Sequence, residues 1–507
     1  MRHRISYVHA QKHEKPIRAV NASYVEVDPG VSVAREDKYT LDVDRLTHVS
    51  ALRIHIENGG NRYQSEGGAA NSENSENSEN FENSENSKKS EKSANGVFEN
   101  TSPFSYNYQA GVHVYAVPST NTRIEDKDVF YAQVNSVLSQ VLNITVAPEQ
   151  WVRSLNSFYF HTSEALEANL AAIPRLCESS PSVQLQFDAL DYYYSDAKLS
   201  LTTLDRASRD LSVKAAGSEA YTEVGIFHIM PQSSRDDLML SGARVIMNEE
   251  TDDRHGQLEE TTTEEDASAA SRSVHKTMFH IKPRHRHLDS RSSFSVRANG
   301  LHPVITVGNI PPPPSDDDVA NCKAFTYLTL EKSVFLDPYQ VPDVLEIVTN
   351  FGPTNLELPE YSVPEWGNEI LMEVAENTSG PVELTLHSRY QLPDAAHTHT
   401  QVRMDHPVLF YACDVTSDGF LLKNSPFDTK KPIGGSFEKF FTEDTVFYHF
   451  SDRGSSEVSV PNASGDANTV NLVTLVSLLV GVLMILFKVY KRIVSGPTAV
   501  SSAKKSD

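Results

Sequence analysis

The stretch HSRYQLPDAAHTHTQVRMDHPVLFYACD (His387–Asp414) decides how the second half of this chain is read. Four histidines, a cysteine and three aspartates fall inside it. One reading is a metal or nucleophile site. His397 and His399 are two apart, so on a strand they would share a face, as zinc ligands can. The other reading is packing. Asp394-Ala395-Ala396 follows Pro393, which is the chemistry of a connecting loop, and histidines in such a loop are more often solvated. No carboxylate at a fixed offset completes a metalloenzyme set. VLFYAC is an apolar run, which makes Cys413 a buried thiol or half-cystine with a raised pKa rather than a nucleophile. The stretch therefore reads as two strands and a loop, with no metal.

The surrounding sequence has the same character. From Thr277 to Phe450 the runs KTMFHI, SSFSVRA, HPVITVG, AFTYLTL, VLEIVTN, EILMEVA, PVELTLHSRY, HPVLFYACDV and DTVFYHF alternate with turn residues. No helical period of useful length interrupts them. This predicts an all-β sandwich over 277–458. The runs starting at Glu369 and Pro381 are expected to form a hairpin turned at Asn377 and Gly380. Pro311–Pro314 reads as a polyproline-like spacer.

Residues 1–242 are expected to form an α+β region. SYVEVDPGVSVAR and RLTHVSALRIHIEN are β-like, with Asp28-Pro29-Gly30 as turn chemistry. A helix is expected over Asp126–Leu142, with Phe130, Val134, Val137, Leu138 and Val141 on one face. A second is expected over Glu164–Ala172, capped by Thr162 or Ser163 and stopped at Pro174. Two polar segments carry too little apolar surface to fold: the Asn-Ser-Glu repeat at 71–95 and the acidic linker at 248–274.

ANTVNLVTLVSLLVGVLMILF (Ala467–Phe487) holds no charge. Its length matches a helix rising about 30 Å, the thickness of a bilayer's hydrocarbon core. Lys488, Lys491 and Arg492 follow it, so the tail 488–507 is expected in the cytosol. Lys504 and Lys505 match a dilysine retrieval signal for the endoplasmic reticulum, an address and not an anchor. N-x-S/T sequons at Asn21, Asn100, Asn143, Asn377 and Asn462 fit a lumenal body. The N-terminal stretch has basic residues but no apolar h-region. A tail-anchored chain with a cytosolic body is therefore the alternative topology, and a glycosidase-sensitive mass shift separates the two.

The formal net charge is −23 and the pI about 5.3, which argues against a nucleic-acid partner. The three cysteines, Cys177, Cys322 and Cys413, exclude a disulfide-rich scaffold and a CxxC zinc site. Cys322 and Cys413 could pair in an oxidising compartment, or all three could be free. There is no P-loop, GxGxxG, GxSxG or HExxH pattern. No catalytic residue and no cofactor is expected.

Five fragments in order carry a resemblance: GLHP at Gly300, FLDPYQV at Phe335, NLELPEYSVPEWGNEILMEV at Asn355, HSRYQLP at His387 and HPVLFYACD at His406. With the C-terminal span and short basic tail, they resemble the PIG-X family and its fungal members. The match runs over about Ser293–Lys491 and includes no catalytic motif. The resemblance implies a non-catalytic subunit of glycosylphosphatidylinositol mannosyltransferase I in the endoplasmic reticulum membrane. Such a subunit stabilises a multi-spanning catalytic PIG-M-type partner. A more general lumenal folding factor is the alternative. His387, Arg389, Tyr390, Pro393, Pro407 and Cys413 become the family-motif positions, with Arg389 and Tyr390 either partner anchors or internal struts.

Overall fold

The computed structural model describes residues 2–9, 14–21, 24–28, 33–58, 109–120, 127–164, 168, 187–208, 210–214, 221–230, 238–247, 274–281, 284–376, 378, 380–394, 396–416, 436–451, 454–463 and 465–494. The repeat at 71–95, the acidic segment up to residue 273, Pro29, Gly30, Cys177, Asn100, Asn377, Lys504 and Lys505 lie outside these. So does the helix expected over Glu164–Ala172, apart from Glu164 and Ala168.

Strands dominate, as the short alternating runs require. The larger sheet has eleven strands. Arg2–His9 is central to it, pairing in parallel with Tyr221–Ile229 and antiparallel with Val33–Asp42. The order continues through Lys198–Asp205, Ala189–Ser195, Val49–Glu57, Gly111–Pro118, Phe158–Thr162 and Val152–Arg153. One face is apolar. Leu52, Ile54, Ile56, Val112 and Val114 pack there beneath the helix Lys127–Leu142. That helix buries Phe130, Val134, Val137, Leu138 and Val141, the face expected from its 3.6-residue period. The other face is buried yet polar: Arg53, His55, His113 and Asp191 lie on it. Arg53 bonds Asp191 at 2.7 Å.

The second sheet has six strands in the order His285–Ser292, Thr445–Ser451, Val408–Val415, Val319–Glu331, Gly367–Val374, Leu345–Phe351. It is apolar on both faces, and the alternation of side chains sorts the letters. Leu409, Tyr411 and Cys413 enter one core with Leu328, Met372 and Val446. Val408, Phe410 and Ala412 enter another with Tyr327, Leu371 and Phe437. The first core is closed by the three-stranded sheet Phe294–Arg297, Val304–Val307, Val382–Thr385 and by the pair His399–Asp405 with Ser455–Pro461. This is a β-sandwich, and the unbroken run VLFYAC reflects a strand covered on both sides.

Two expectations differ from the structure. KTMFHI belongs to the strand Val274–Ile281, which pairs with Leu238–Met247 at the edge of the eleven-stranded sheet. It does not open the sandwich. The runs at Glu369 and Pro381 are not a hairpin. Gly367–Val374 pairs with Val319–Glu331 in one layer, and Val382–Thr385 pairs with Val304–Val307 in the other. The intervening turn is an arch between layers. Parted into two layers, Ile370 and Met372 of one run face Val382 and Leu384 of the other in a common core.

The C-terminal helix spans Ala467–Val494, 28 residues with none buried. It outlasts the apolar segment by seven residues. Lys491 and Arg492 in its last turn are good helix formers and complement the helix dipole. The chain is therefore mainly β with a single C-terminal helix long and apolar enough to cross a membrane among the described residues.

Candidate functional site

Four of the five conspicuous sequence fragments, spread from residue 300 to 393, gather around one arginine. Arg389 is 2% exposed. Its guanidinium donates to the main-chain carbonyls of Asn355, Leu358 (2.8 Å) and Pro353 (3.3 Å). It lies 4.4 Å over the ring of Phe335. Its own N–H donates to Ser333 O at 2.8 Å, and the neighbouring Ser388 N–H donates to Leu301 O at 2.8 Å. FLDPYQV, NLELP and HSRYQLP thus meet at one side chain, and GLHP joins them through the main chain of Ser388. A planar guanidinium with five donors can gather several carbonyls at fixed angles, which lysine cannot. Main-chain carbonyls held this way order an irregular segment that no strand pairing would fix.

Around that strut the loops are shaped residue by residue. Asp337 caps a short turn, accepting from Tyr339 N–H at 3.0 Å, with Pro338 at the first helical position. Tyr339 is left exposed. Asn368 donates to Asn350 Oδ1 at 3.1 Å and Pro353 O at 3.3 Å, closing the other end of the loop. Gly367 is required because a Cβ there would lie 1.9 Å from Leu330 O.

His387 stacks on Phe335 at 5.4 Å and meets Gln340 Oε1 at 3.2 Å. Burial, with the nearby His302, pushes its imidazole below the usual range. Tyr390 and Leu392 are exposed, and Gln391 between them is buried, its amide donating to Arg389 O at 3.0 Å. Pro393 is exposed and Pro407 buried. Pro407 lines an apolar cavity in the sandwich beside Ile305, Leu328 and Leu409.

The four histidines of the opening stretch go separate ways. His397 pairs with Asp394 at 2.7 Å, and His399 meets Thr398. His406 bonds Ser456 at 2.9 Å. Among the described residues no group of three or more His, Cys, Asp or Glu could hold a metal ion.

Cys413 is bonded to Cys322, with Cα atoms 4.1 Å apart. The pairing register of the two strands slips between Ala320 and Lys323. Asn321 there takes φ +50°. This bulge carries Cys322 to the position opposite Cys413. Of the sequons, Asn143 is exposed just past the helix end. The Asn462 carboxamide accepts from Thr400 Oγ1 at 2.8 Å and donates to His397 O at 3.3 Å. Asn21 ends a short strand, Ile17–Asn21.

Sequence reasoning passed over the cluster that joins the two sheets. Glu369 and Lys439 form an ion pair with side chains 0% and 1% exposed. The Glu369 carboxylate also accepts from Tyr327 OH at 2.8 Å and Ser154 Oγ at 2.7 Å. The Lys439 amine sits 5.1 Å over the rings of both Tyr115 and Tyr159. Burial pushes this amine down, against the pull of Glu369. Trp366 Nε1 donates to Tyr159 O at 3.0 Å beside the pair. Tyr115 and Tyr159 lie on strands of the eleven-stranded sheet and Ser154 directly follows its strand Val152–Arg153, while Glu369 and Tyr327 lie on the six-stranded sheet, with Trp366 just before Gly367–Val374 and Lys439 in the short helix Phe437–Phe440. The signal was present as a lone cation among aromatics (FEKFF) and a carboxylate inside an apolar strand (NEILMEV). Neither letter says which residue it meets.

The loop after Arg389 also meets the base of the C-terminal helix. Asp394 N–H donates to Ala463 O at 3.2 Å, and Gly465 N–H donates to Asp394 O at 3.3 Å. Asp466 then caps the helix, accepting from Thr469 Oγ1 at 2.6 Å, a bond that holds its carboxyl below the usual range.

Comparison with known proteins places these features in context. The family model described as PIG-X / PBN1 matches residues 298–490, most of the sandwich and most of the C-terminal helix. Protein PBN1 of Debaryomyces hansenii is 30% identical over 481 residues, covering 94% of this chain and 93% of its own. Protein PBN1 of Candida albicans is 36% identical over 422 residues, 78% of this chain and 83% of its own. Protein pbn1 of Aspergillus oryzae is 25% identical over 464 residues, 77% and 83% respectively. The likeness to the first two therefore reaches well into the eleven-stranded sheet.

Proposed function

Because this chain belongs to the PIG-X / PBN1 family, we propose that it is a membrane-anchored, non-catalytic subunit of glycosylphosphatidylinositol mannosyltransferase I. In this reading it stabilises the multi-spanning PIG-M-type subunit that adds the first mannose to the anchor precursor. The body faces the lumen of the endoplasmic reticulum, and the tail carrying Lys504 and Lys505 faces the cytosol. The domain plan is an N-terminal region whose sheet takes in Val274–Ile281, a sandwich running from His285 to Pro461, and one span.

The observation that carries the reading is the tie between the family-motif loops and the helix base, through Asp394, Ala463 and Gly465. A body held this way stays beside its own span, where it can meet a multispan protein's extramembrane loops while the helices pack laterally. The partner surface on the body is assigned to the exposed loop of Tyr339 together with His387. Binding of this kind stabilises the partner by mass action, since only the folded form is bound. The Cys322–Cys413 bond supports an oxidising compartment. The basic residues Lys488, Lys491 and Arg492 on the C-terminal flank, with none between Arg453 and the span, support a cytosolic tail.

Leu479→Arg places a charge mid-span at a cost of about 2.5–3.5 kcal/mol. In fungal cells it should lower the steady-state level of the catalytic subunit and of finished anchors. Unchanged levels with a correctly expressed variant would sink the proposal. Affinity capture of the intact chain should yield one dominant multispan protein. A spread of many transient clients would favour a general folding factor.

A further inference from the structure

Residues 388–392 alternate between buried and exposed. Ser388, Arg389 and Gln391 are buried, while Tyr390 and Leu392 are 65% and 61% exposed. The neighbouring Tyr361, 51% exposed, is brought alongside by the bond from Glu360 N–H to Tyr390 O at 3.0 Å. Two tyrosines and a leucine are thus held outward by a rigid base. That base is the Arg389 strut, which forbids them from folding back.

Their height is set by the span. Asp394 is hydrogen-bonded on both sides to the segment Ala463–Gly465, two residues before the helix begins at Ala467. The helix opens with the polar residues Asn468, Thr469 and Asn471, and its apolar run starts at Leu472. From Ala467 to Leu472 the helix rises about 7.5 Å, comparable to the headgroup zone on one side of a bilayer. The Asp394 junction therefore sits at the outer edge of the headgroup zone. Leu392 is two residues from that junction, a reach of at most about 7 Å. Tyrosine, with an apolar ring and a polar tip, is a residue enriched at this depth.

We propose that Tyr390, Leu392 and Tyr361 form a lipid-contact edge, seated in the phospholipid interface on the body's side of the membrane. The occupant is the bilayer itself. The patch is continuous with the one segment of the chain that enters a membrane, and it presents ring and leucine carbons rather than a basic cluster. A zwitterionic surface suffices to receive it. Together with the span it gives the body two points of attachment and so fixes its tilt.

The test uses the full chain reconstituted into phosphatidylcholine vesicles whose acyl chains carry bromine near the headgroup. Tryptophan is placed at one position at a time by Tyr390→Trp, Leu392→Trp and, as a control on the eleven-stranded sheet, Met278→Trp. The native Trp151 and Trp366 are buried, and the unsubstituted chain supplies their background. Tryptophan at 390 and at 392 should lose more than about half of its emission to the brominated lipid, as expected for interfacial depth. Tryptophan at 278 should lose little. Equal quenching at all three positions overturns the proposal.

A second measurement needs no substitution. Enzymatic iodination from the aqueous side should label Tyr339 and spare Tyr390 and Tyr361 in vesicles. Labelling of Tyr390 as fast as Tyr339 overturns the proposal. So does protection of Tyr390 that appears only when the PIG-M-type subunit is co-reconstituted, since the patch would then belong to a protein partner.

Discussion

Replacing Lys439 by methionine probes the joint between the two sheets. In the native chain the Lys439 amine pairs with Glu369 and lies 5.1 Å over the rings of Tyr115 and Tyr159. Methionine keeps the stem and removes the charge. Glu369 then remains a carboxylate at 0% exposure, with only the hydroxyls of Tyr327 and Ser154 to hold it. Breaking one side of a buried pair costs about 3–5 kcal/mol. At roughly 2 °C per kcal/mol for a large domain, the melting temperature should fall by about 6–10 °C.

The reverse change, Glu369→Gln, should cost less, because the amine is already pushed down by burial and can shed its proton. The amine's pKa in the folded variant lies below its unfolded value. The variant should therefore regain stability as pH rises and lose it as pH falls. The double variant Lys439→Met with Glu369→Gln leaves no unpaired charge and should be more stable than Lys439→Met alone, a coupling of about 0.5–3 kcal/mol. The assay is a melt of the full chain in detergent, followed by tryptophan fluorescence, since Trp366 sits 5.0 Å from the Tyr159 ring. A shift under about 2 °C for Lys439→Met would refute the reasoning, as would strict additivity in the double variant.

Burial pushes the Asp405 carboxyl up to about 6, with Glu331 adding to it and Arg403 opposing. A raised acid favours the fold below its unfolded pKa near 4 and loses that advantage as pH rises through 6. Asp405→Asn should therefore raise the stability at pH 7.5 by on the order of 2–3 kcal/mol, seen as a higher melting temperature, and leave it nearly unchanged at pH 4. A gain of the same size at both pH values would contradict the assignment. Removing the Cys322–Cys413 bond, which closes 91 residues, should cost roughly 4–5 kcal/mol in the loop-entropy account. Alkylation of the native chain should leave Cys322 and Cys413 unmodified, and labelling of either would count against the bond. Arg389→Lys keeps the charge but cannot hold the carbonyls of Pro353, Asn355 and Leu358. It should cost about 2–4 kcal/mol and speed hydrogen exchange across residues 353–363. Unchanged exchange there would show that the loop does not depend on the strut.

The letters by themselves determined the local elements. The period of Asp126–Leu142 identified the helical face, because amphipathicity is written along one element. The short runs after Thr277 identified strands, and Ala467–Phe487 identified a span, because length and lack of charge suffice. The family fragments were visible as fragments.

Which strands meet was not visible. KTMFHI joined the larger sheet, and the runs at Glu369 and Pro381 parted into opposite layers. An apolar strand fits many edges, and its place is set by total burial over the whole chain. Nor could the letters say that Arg389 is an internal strut while Tyr390 beside it points outward, or that Lys439 finds Glu369 70 residues away. A charged side chain reads the same in solvent and in a core. Only the assembled packing, which removes water and leaves one partner within reach, decides what such a charge is for.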